Sequence, residues 1–370
     1  IGVFQKDATI DANIPTSGTG GFELMGEASI AVVHDMNSAA NREDFYNLNE
    51  EIIKDVSFVP FRLRDGDQAN CLNLNLAQEP RLLGVRPEML AGKFTFIDTL
   101  NGFETSDNPW SILETARQTL KLSDDVVPAI ADQSVMMWAL SGGNMMKSKK
   151  LGDTLDYTDE HGNAFKVKFV GQLADSILQG NLIIPESDFI KRFPSESGYR
   201  VFLIDGPEAK SKEISDELNI AMEDHGFEWV GAIQRLNELN AVQNTYLKTF
   251  QMLGGLGLLL GSLGLGVVVM RNVQERKSEL ALLRAIGFEK NSIKRFVLVE
   301  YLSLLIGGLL IGTIAAGLAV LPTILSPTAD VPYALLGLTL GGVLLLAGMW
   351  TWLATNLSLR GNLLEGFRGD

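Results

Sequence analysis

From Phe250 onward the chain is dominated by long uncharged apolar runs, whereas before that point charge interrupts the apolar residues every few positions. The stretch 250–270 reads FQMLGGLGLLLGSLGLGVVVM and holds no Asp, Glu, Lys or Arg. About 20 helical residues rising ~1.5 Å each match a hydrocarbon layer of roughly 30 Å. A second run, 296–321, is interrupted only by Glu300 near its start, and a third covers 333–357. Three membrane-crossing helices are predicted.

Before residue 250 the periods are shorter. Two alternating segments around Asp159, Glu160, His161 and Gly162 within 152–171 predict a β-hairpin. A strand at 199–205, a helix at 207–225 with Ile214, Leu218 and Met222 on one face, and a strand at 227–232 form a β-α-β unit. A strand at 21–33, a helix around 42–48 and a strand at 57–64 complete an α+β layer in residues 1–232, with a β-rich insertion at about 125–195. Residues 233–249 keep a helical period through Leu236, Leu239 and Tyr246 without Gly or Pro. They predict a stalk helix running into the first span. The expected fold class is therefore an α+β domain with a β-rich insertion, followed by a bundle of three transmembrane helices over 250–370.

Charge gives this pattern a direction. Of the 45 acidic and 31 basic residues, 38 and 22 lie in 1–249, leaving that part at −16 and the rest at +2. So acidic a domain opposes nucleic-acid binding, which relies on cations displacing counterions from phosphates. The segment 271–295 carries Arg271, Arg276, Lys277, Arg284, Lys290, Lys294 and Arg295, whereas 322–332 holds only Asp330. Because cytoplasmic loops hold the positive charge, the loop 271–295 and the tail with Arg360 and Arg368 are expected inside, and residues 1–245 outside. An outer domain needs a preceding span or signal sequence, and none is visible after Ile1. The chain is expected to be the C-terminal piece of a longer protein.

Small residues recur four apart in each span: Gly257 and Gly261, Gly308 and Gly312, Gly337 and Gly341. That spacing lets helix backbones approach and predicts packing positions. No span holds an ionisable residue at mid-depth, so an ion relay has no carrier. Cys71 is the sole cysteine and excludes an internal disulfide. A phosphate-binding loop needs a Gly-rich turn ending in Lys and Ser or Thr, which neither SGTGG at 17–21 nor SGGNMMKSKK at 141–150 supplies. If ATP drives the protein, another chain binds it, and no cofactor is expected here. His34-Asp35 resembles one fragment of a metal site but lacks converging ligands, so no metal site and no catalytic residue are assigned.

The loop reads RNVQERKSELALLRAIGFEKNSIKRFVLVEYLSLLIGGLLIG. Leu280, Leu283 and Ile286 lie at helical spacing, Gly287 is a C-terminal stop and Asn291 a cap for the next helix. The order of charged residues, ELALLRAIGF, a membrane-entry Glu and a Gly-rich span resembles FtsX-like permease domains. The stretches SGTGGFELMGEASIAVVHDMN, CLNLN, VVPAIADQSVMMWAL and QGNLIIPESDFIKRFPSESGYRVFLID are similar to MacB-like periplasmic domains, as in the C-terminal half of a double-length permease. A single-length permease cut after its first helix would read the same way.

This resemblance implies the permease subunit of an ABC transporter in the bacterial inner membrane, with the N-terminal domain extracytoplasmic and the C-terminus cytoplasmic. It implies a separate cytoplasmic ABC ATPase, contacted through Glu279, Leu283, Arg284, Ala285 and Gly287, and it matches Glu300 to the family's acidic residue on the next helix. A second permease unit or homodimer, membrane lipid and an extracytoplasmic client complete the implied partners. Movement of the outer domain would export or extract a hydrophobic, lipid or peptide substrate. The alternative is a signalling scaffold that activates an outer-face partner such as a cell-wall hydrolase.

Overall fold

The computed structural model describes residues 12–67, 79–100, 108–136, 140, 148–324 and 333–358. Cys71, CLNLN, the greater part of 141–150, most of the loop 322–332 and the tail with Arg360 and Arg368 lie outside the described residues. Two compact units divide between Val242 and Gln243.

The first unit is built on β1 (Leu24–Val32), β2 (Ser57–Arg64), β3 (Leu82–Val85), β4 (Phe96–Thr99), β5 (Val126–Asp132), β6 (Thr154–Thr158), β7 (Ala164–Leu173), β8 (Leu182–Pro185), β9 (Tyr199–Asp205) and β10 (Phe227–Gly231). They make one mixed sheet in the order β10-β1-β9-β2-β3-β8-β5-β7-β4, with β6 on β7. Its helices are α1 (Ala39–Tyr46), α2 (Glu50–Ile53), α3 (Ile112–Thr119), α4 (Glu186–Arg192) and α5 (Ser211–Ala221).

Strand β2 explains how the two halves become one sheet. Its residues Ser57–Phe61 pair antiparallel with β9, and Arg62–Arg64 pair with β3. Everything between β2 and β9 is thereby inserted into the α+β layer without breaking the ladder. This half includes β3 and β4, which precede residue 125. Its hairpin forms as the alternation predicts, Thr154 to Thr158 opposite Lys168 to Ala164.

The central strands read as nearly continuous apolar runs because both their faces are covered. On β9, Val201 and Leu203 enter a core with Phe61, Leu63, Leu83, Val85, Ile130, Ile183 and Trp110, which lies under both halves. Phe202 and Ile204 face the opposite way into a second core with Phe58, Ile214, Leu218 and Met222. A third, with Val127, Ala129, Phe165, Phe169 and Ile184, covers the second face of the inserted half. Alternation by two assigns each residue to its core.

Strands β9 and β10 both pair antiparallel with β1, which lies between them. The predicted β-α-β unit is therefore split: α5 crosses over a strand rather than joining neighbours. Helix α1 also starts earlier than the expected 42, because the Ser38 carbonyl already accepts from the Arg42 amide at 3.0 Å. It ends at Asn47, whose φ of 49° is left-handed and stops the helix before residue 48.

Two buried features fix strand ends. Asp132, at the end of β5, accepts from Ser134 Oγ at 2.7 Å, Val135 N at 2.8 Å and Gly180 N at 3.0 Å. Burial pushes its carboxyl up, and these donors pull the other way. On β1, a Cβ added at Gly26 would lie 2.1 Å from the Trp229 indole of β10. Only glycine lets that ring cross the strand.

The second unit holds α7 (Lys277–Ala285), α8 (Lys290–Ile324), α9 (Tyr333–Ser358) and the greater part of α6 (Ala232–Glu275). The α6 helix is continuous over 44 residues, because nothing from 232 to 253 breaks it and membrane-type apolar sequence follows. Its first turns belong to the first unit, where Ala232 and Leu236 enter the core shared by both halves of the sheet. Helices α6, α8 and α9 are each long and apolar enough to cross a membrane.

Replacing Gly26 by Ala is expected to destabilise the sheet unit by about 1–3 kcal/mol, the usual cost of overpacking, read as a lower urea midpoint at unchanged slope followed by tryptophan fluorescence.

Candidate functional site

The site predicted from sequence is the segment joining α6 to α8. It begins at Arg276, where α6 stops and α7 starts. Arg276 Nη1 lies 2.9 and 3.0 Å from the two carboxylate oxygens of Glu300, ten residues into α8, and Arg276 Nε lies 3.2 Å from Glu279. One guanidinium thus ties the helix break, α7 and α8 together. Charge-assisted bonds of this kind are stronger than neutral ones.

Below this tie, Val269 and Val273 of α6, Leu280 of α7, Ile293 and Val297 of α8 and Ala354 of α9 form a small buried core. Leu283 packs partly against it, and Ala281 is buried as well. Helix α7 is therefore held along one face, and its opposite face is uncovered among the described residues.

The far end of α7 closes on Gly287. The Phe288 amide donates to the Leu283 carbonyl and the Gly287 amide to that of Arg284, both at 3.1 Å. Gly287 has φ +111°, which a side chain would strain. This double closure is the usual helix stop with a glycine just past the end. Helix α8 then starts at Lys290, with the Glu289 carbonyl accepting from Ser292 and Ile293. Asn291, expected as its cap, is already inside the first turn, because the tight Gly287 turn lets the helix begin at once. An acidic residue at that N-terminus complements the helix dipole.

Glu279, Arg284, Ala285 and Gly287 are exposed on the loop, and Leu283 is half-buried. Glu300 is engaged by Arg276. Ile286, at helical spacing with Leu280 and Leu283, is 69% exposed, whereas Leu280 is buried and Leu283 half-buried. Leu282, Ile286 and Phe288 together leave large apolar groups in the open. They were missed individually. The signal was present in ELALLRAIGF, whose apolar residues are more than one face of a nine-residue helix needs.

The six paired glycines behave differently from their expectation. A Cβ at Gly257, Gly261, Gly308, Gly312, Gly337 or Gly341 would meet no atom within 4 Å, so among the described residues none of them lies against another helix. The close approach occurs instead at Gly266 of α6, which lies against Trp350 of α9. The pattern of small residues marks surfaces that can be approached without naming the chain that approaches them.

In the sheet unit the histidines stack on rings or sit in turns. His34 stacks on Phe45 with ring centroids 3.6 Å apart, and Asp35 accepts from the Asn37 amide at 2.9 Å, closing a turn. His161 lies in the β6–β7 turn and His225 beside Tyr46. Among the described residues no group of three metal-ligating side chains converges.

Comparison with known proteins adds the following. No curated protein matches the chain significantly. The chain is similar to the periplasmic region of MacB from Actinobacillus actinomycetemcomitans at 12% identity and a TM-score of 0.32, covering 65% of this chain and 98% of that one. It is also similar to the extracellular domain of the noncanonic ABC-type transporter YknZ from Gram-positive bacteria, at 14% identity and a TM-score of 0.27, covering 57% and 98%. The family model of the FtsX-like permease C-terminal domain matches residues 252–363, which take in most of α6's apolar part, the Arg276 tie, α7, α8 and α9. Over those residues, under a third of its length, the chain is similar to FtsX-like permease C-terminal domains.

Proposed function

We propose that this chain is the permease component of an ABC-type system, in which a separate cytoplasmic ATPase docks on the outward face of α7 and drives movement of the sheet unit to export or extract a hydrophobic, lipid or peptide substrate. The observation that carries this reading is the asymmetry of α7. One face is pinned by the small core and by the Arg276–Glu279 pair, while Arg284, Leu282 and Ile286 are presented to solvent. Exposed apolar groups ringed by charge mark a protein-binding surface. A face fixed so firmly to α8 passes force into the helices instead of absorbing it by bending.

Three further features support the reading. The seven basic residues of 271–295 favour the cytoplasmic side for this loop, and the acidic unit then lies on the other. Helix α6 runs without interruption from residue 232 to residue 275, a length suited to carrying motion. The open glycines of α6, α8 and α9 suit the close approach of a second permease unit.

Docking is tested by variants on the free face. Ile286→Asp and Arg284→Glu are expected to cut the ATP-hydrolysing activity that co-purifies with the full-length protein at least tenfold, with the thermal unfolding of the sheet unit unchanged. Undiminished activity in both would remove α7 as the docking surface. Leu283→Asp is the less informative change, since Leu283 also packs on the core.

The tie is tested by a double-mutant cycle. Arg276→Gln and Glu300→Gln are each expected to loosen α7, with a coupling energy of about 1 kcal/mol between them, and the exchanged pair Arg276→Glu with Glu300→Arg should recover part of the lost activity. Additive effects would mean that the two side chains act independently.

A further inference from the structure

An apolar groove of about 530 Å³ runs between α8 and α9, within the 300–1,000 Å³ range of ligand clefts. Its α8 wall is Leu298 and Leu302, and its α9 wall is Leu344, Gly348, Met349 and Trp352. Met349 and Trp352 are more than half exposed, so the groove is open along one side. Gly348 gives it width, since a Cβ there would meet nothing within 4 Å.

One end of this groove is polar and basic. Lys294 and Arg295 lie one helical turn before Leu298 and its neighbour Val299, on the same side of α8. On α9, Asn356 lies one turn past Trp352, and Lys294 Nζ donates to its Oδ1 at 2.8 Å. This bridge joins the two helices one turn beyond the groove's lining residues. Glu275 and Glu279 of the same loop are taken by Arg271 and Arg276. Arg295 is exposed and has no ion pair or hydrogen bond with any described residue. An apolar groove with a guanidinium one turn beyond it, unpaired among the described residues, has the shape and charge of a lipid: an acyl chain along α8 and α9, and an anionic headgroup at Arg295.

We propose that the α8–α9 groove is a binding site for one anionic phospholipid of the cytoplasmic leaflet, with an acyl chain against Gly348 and Trp352 and the phosphate held by Arg295 beside Lys294. The assignment to that leaflet rests on the cytoplasmic placement of the loop given above. The groove itself does not. A neighbouring helix would fill the apolar part equally well and leave Arg295 without an anion, whereas a zwitterionic lipid brings its own ammonium, which two cations at the headgroup repel.

The test is native mass spectrometry of the full-length protein in detergent, titrated with phosphatidylglycerol or with phosphatidylcholine. The wild type is expected to retain one phosphatidylglycerol per chain and to bind it at least tenfold tighter than phosphatidylcholine. Arg295→Gln should weaken retention about fivefold, matching the ~1 kcal/mol of one basic residue near a membrane surface. Gly348→Leu, whose Cβ meets no atom within 4 Å and whose remaining side chain occupies the groove, should abolish it, while Gly337→Leu leaves it intact. Equal retention of both lipids, or retention unaffected by Gly348→Leu, would overturn the site. So would a dimer that Gly348→Leu dissociates, because a second copy would then be the occupant. Cleavage of the 271–295 loop by trypsin added outside sealed right-side-out vesicles would overturn the leaflet alone, so the two failures are distinguishable.

Discussion

Everything in the second unit follows from apolar surface that the chain does not cover. In the most apolar windows of α6, α8 and α9 only 11%, none and 11% of the residues are buried, and side chains such as Leu260, Ile311 and Leu345 are largely exposed. At roughly 25 cal/mol per Å², leaving such surface in water is untenable for three helices of this length. A bilayer removes that cost and imposes its own demand, that every backbone polar group be satisfied inside the segment. Long uninterrupted helices meet it. The polar tie of Arg276 and Glu300 sits where α6 breaks, where a charged pair is tolerated and the chain has to turn.

The sheet unit answers the opposite demand. It is acidic, it closes on its own cores, and its inserted half is integrated by the shared strand β2 and by one core running under both halves. The same core receives the first turns of α6 through Ala232 and Leu236. Within the first unit the helix therefore starts from a packed base. At its other end Val269 and Val273 help to build the base of α7. Function, on this account, lies in what is fixed and what is left free: α7 is anchored on one side and presented on the other.

Much of this was legible in the sequence because the signals were strong and local. The length of the apolar helices, the hairpin at 152–171 and the stop at Gly287 each depend on a few neighbouring residues. What could not be read was set by distant partners. That β1 separates β9 from β10, or that Gly26 must be bare to admit Trp229, depends on residues some 200 positions apart. The α7 faces were partly misread for a related reason. ELALLRAIGF is apolar nearly all round, so periodicity alone does not tell which residues meet the core and which face outward. The glycine pairs show the limit from the other side: their spacing permits close packing, but within this chain it is Gly266 against Trp350 that uses it.

The division of the chain into a domain in water on one side and a docking loop on the other is the claim on which the rest stands. It is measured most directly by a membrane-impermeant thiol reagent applied to Lys54→Cys and Asn291→Cys variants, both at exposed positions, made in a Cys71→Ser background. In intact cells or right-side-out vesicles the account predicts labelling at position 54 and protection at position 291 until the membrane is permeabilised. Labelling of both positions from the same side, or of position 291 alone, would contradict it.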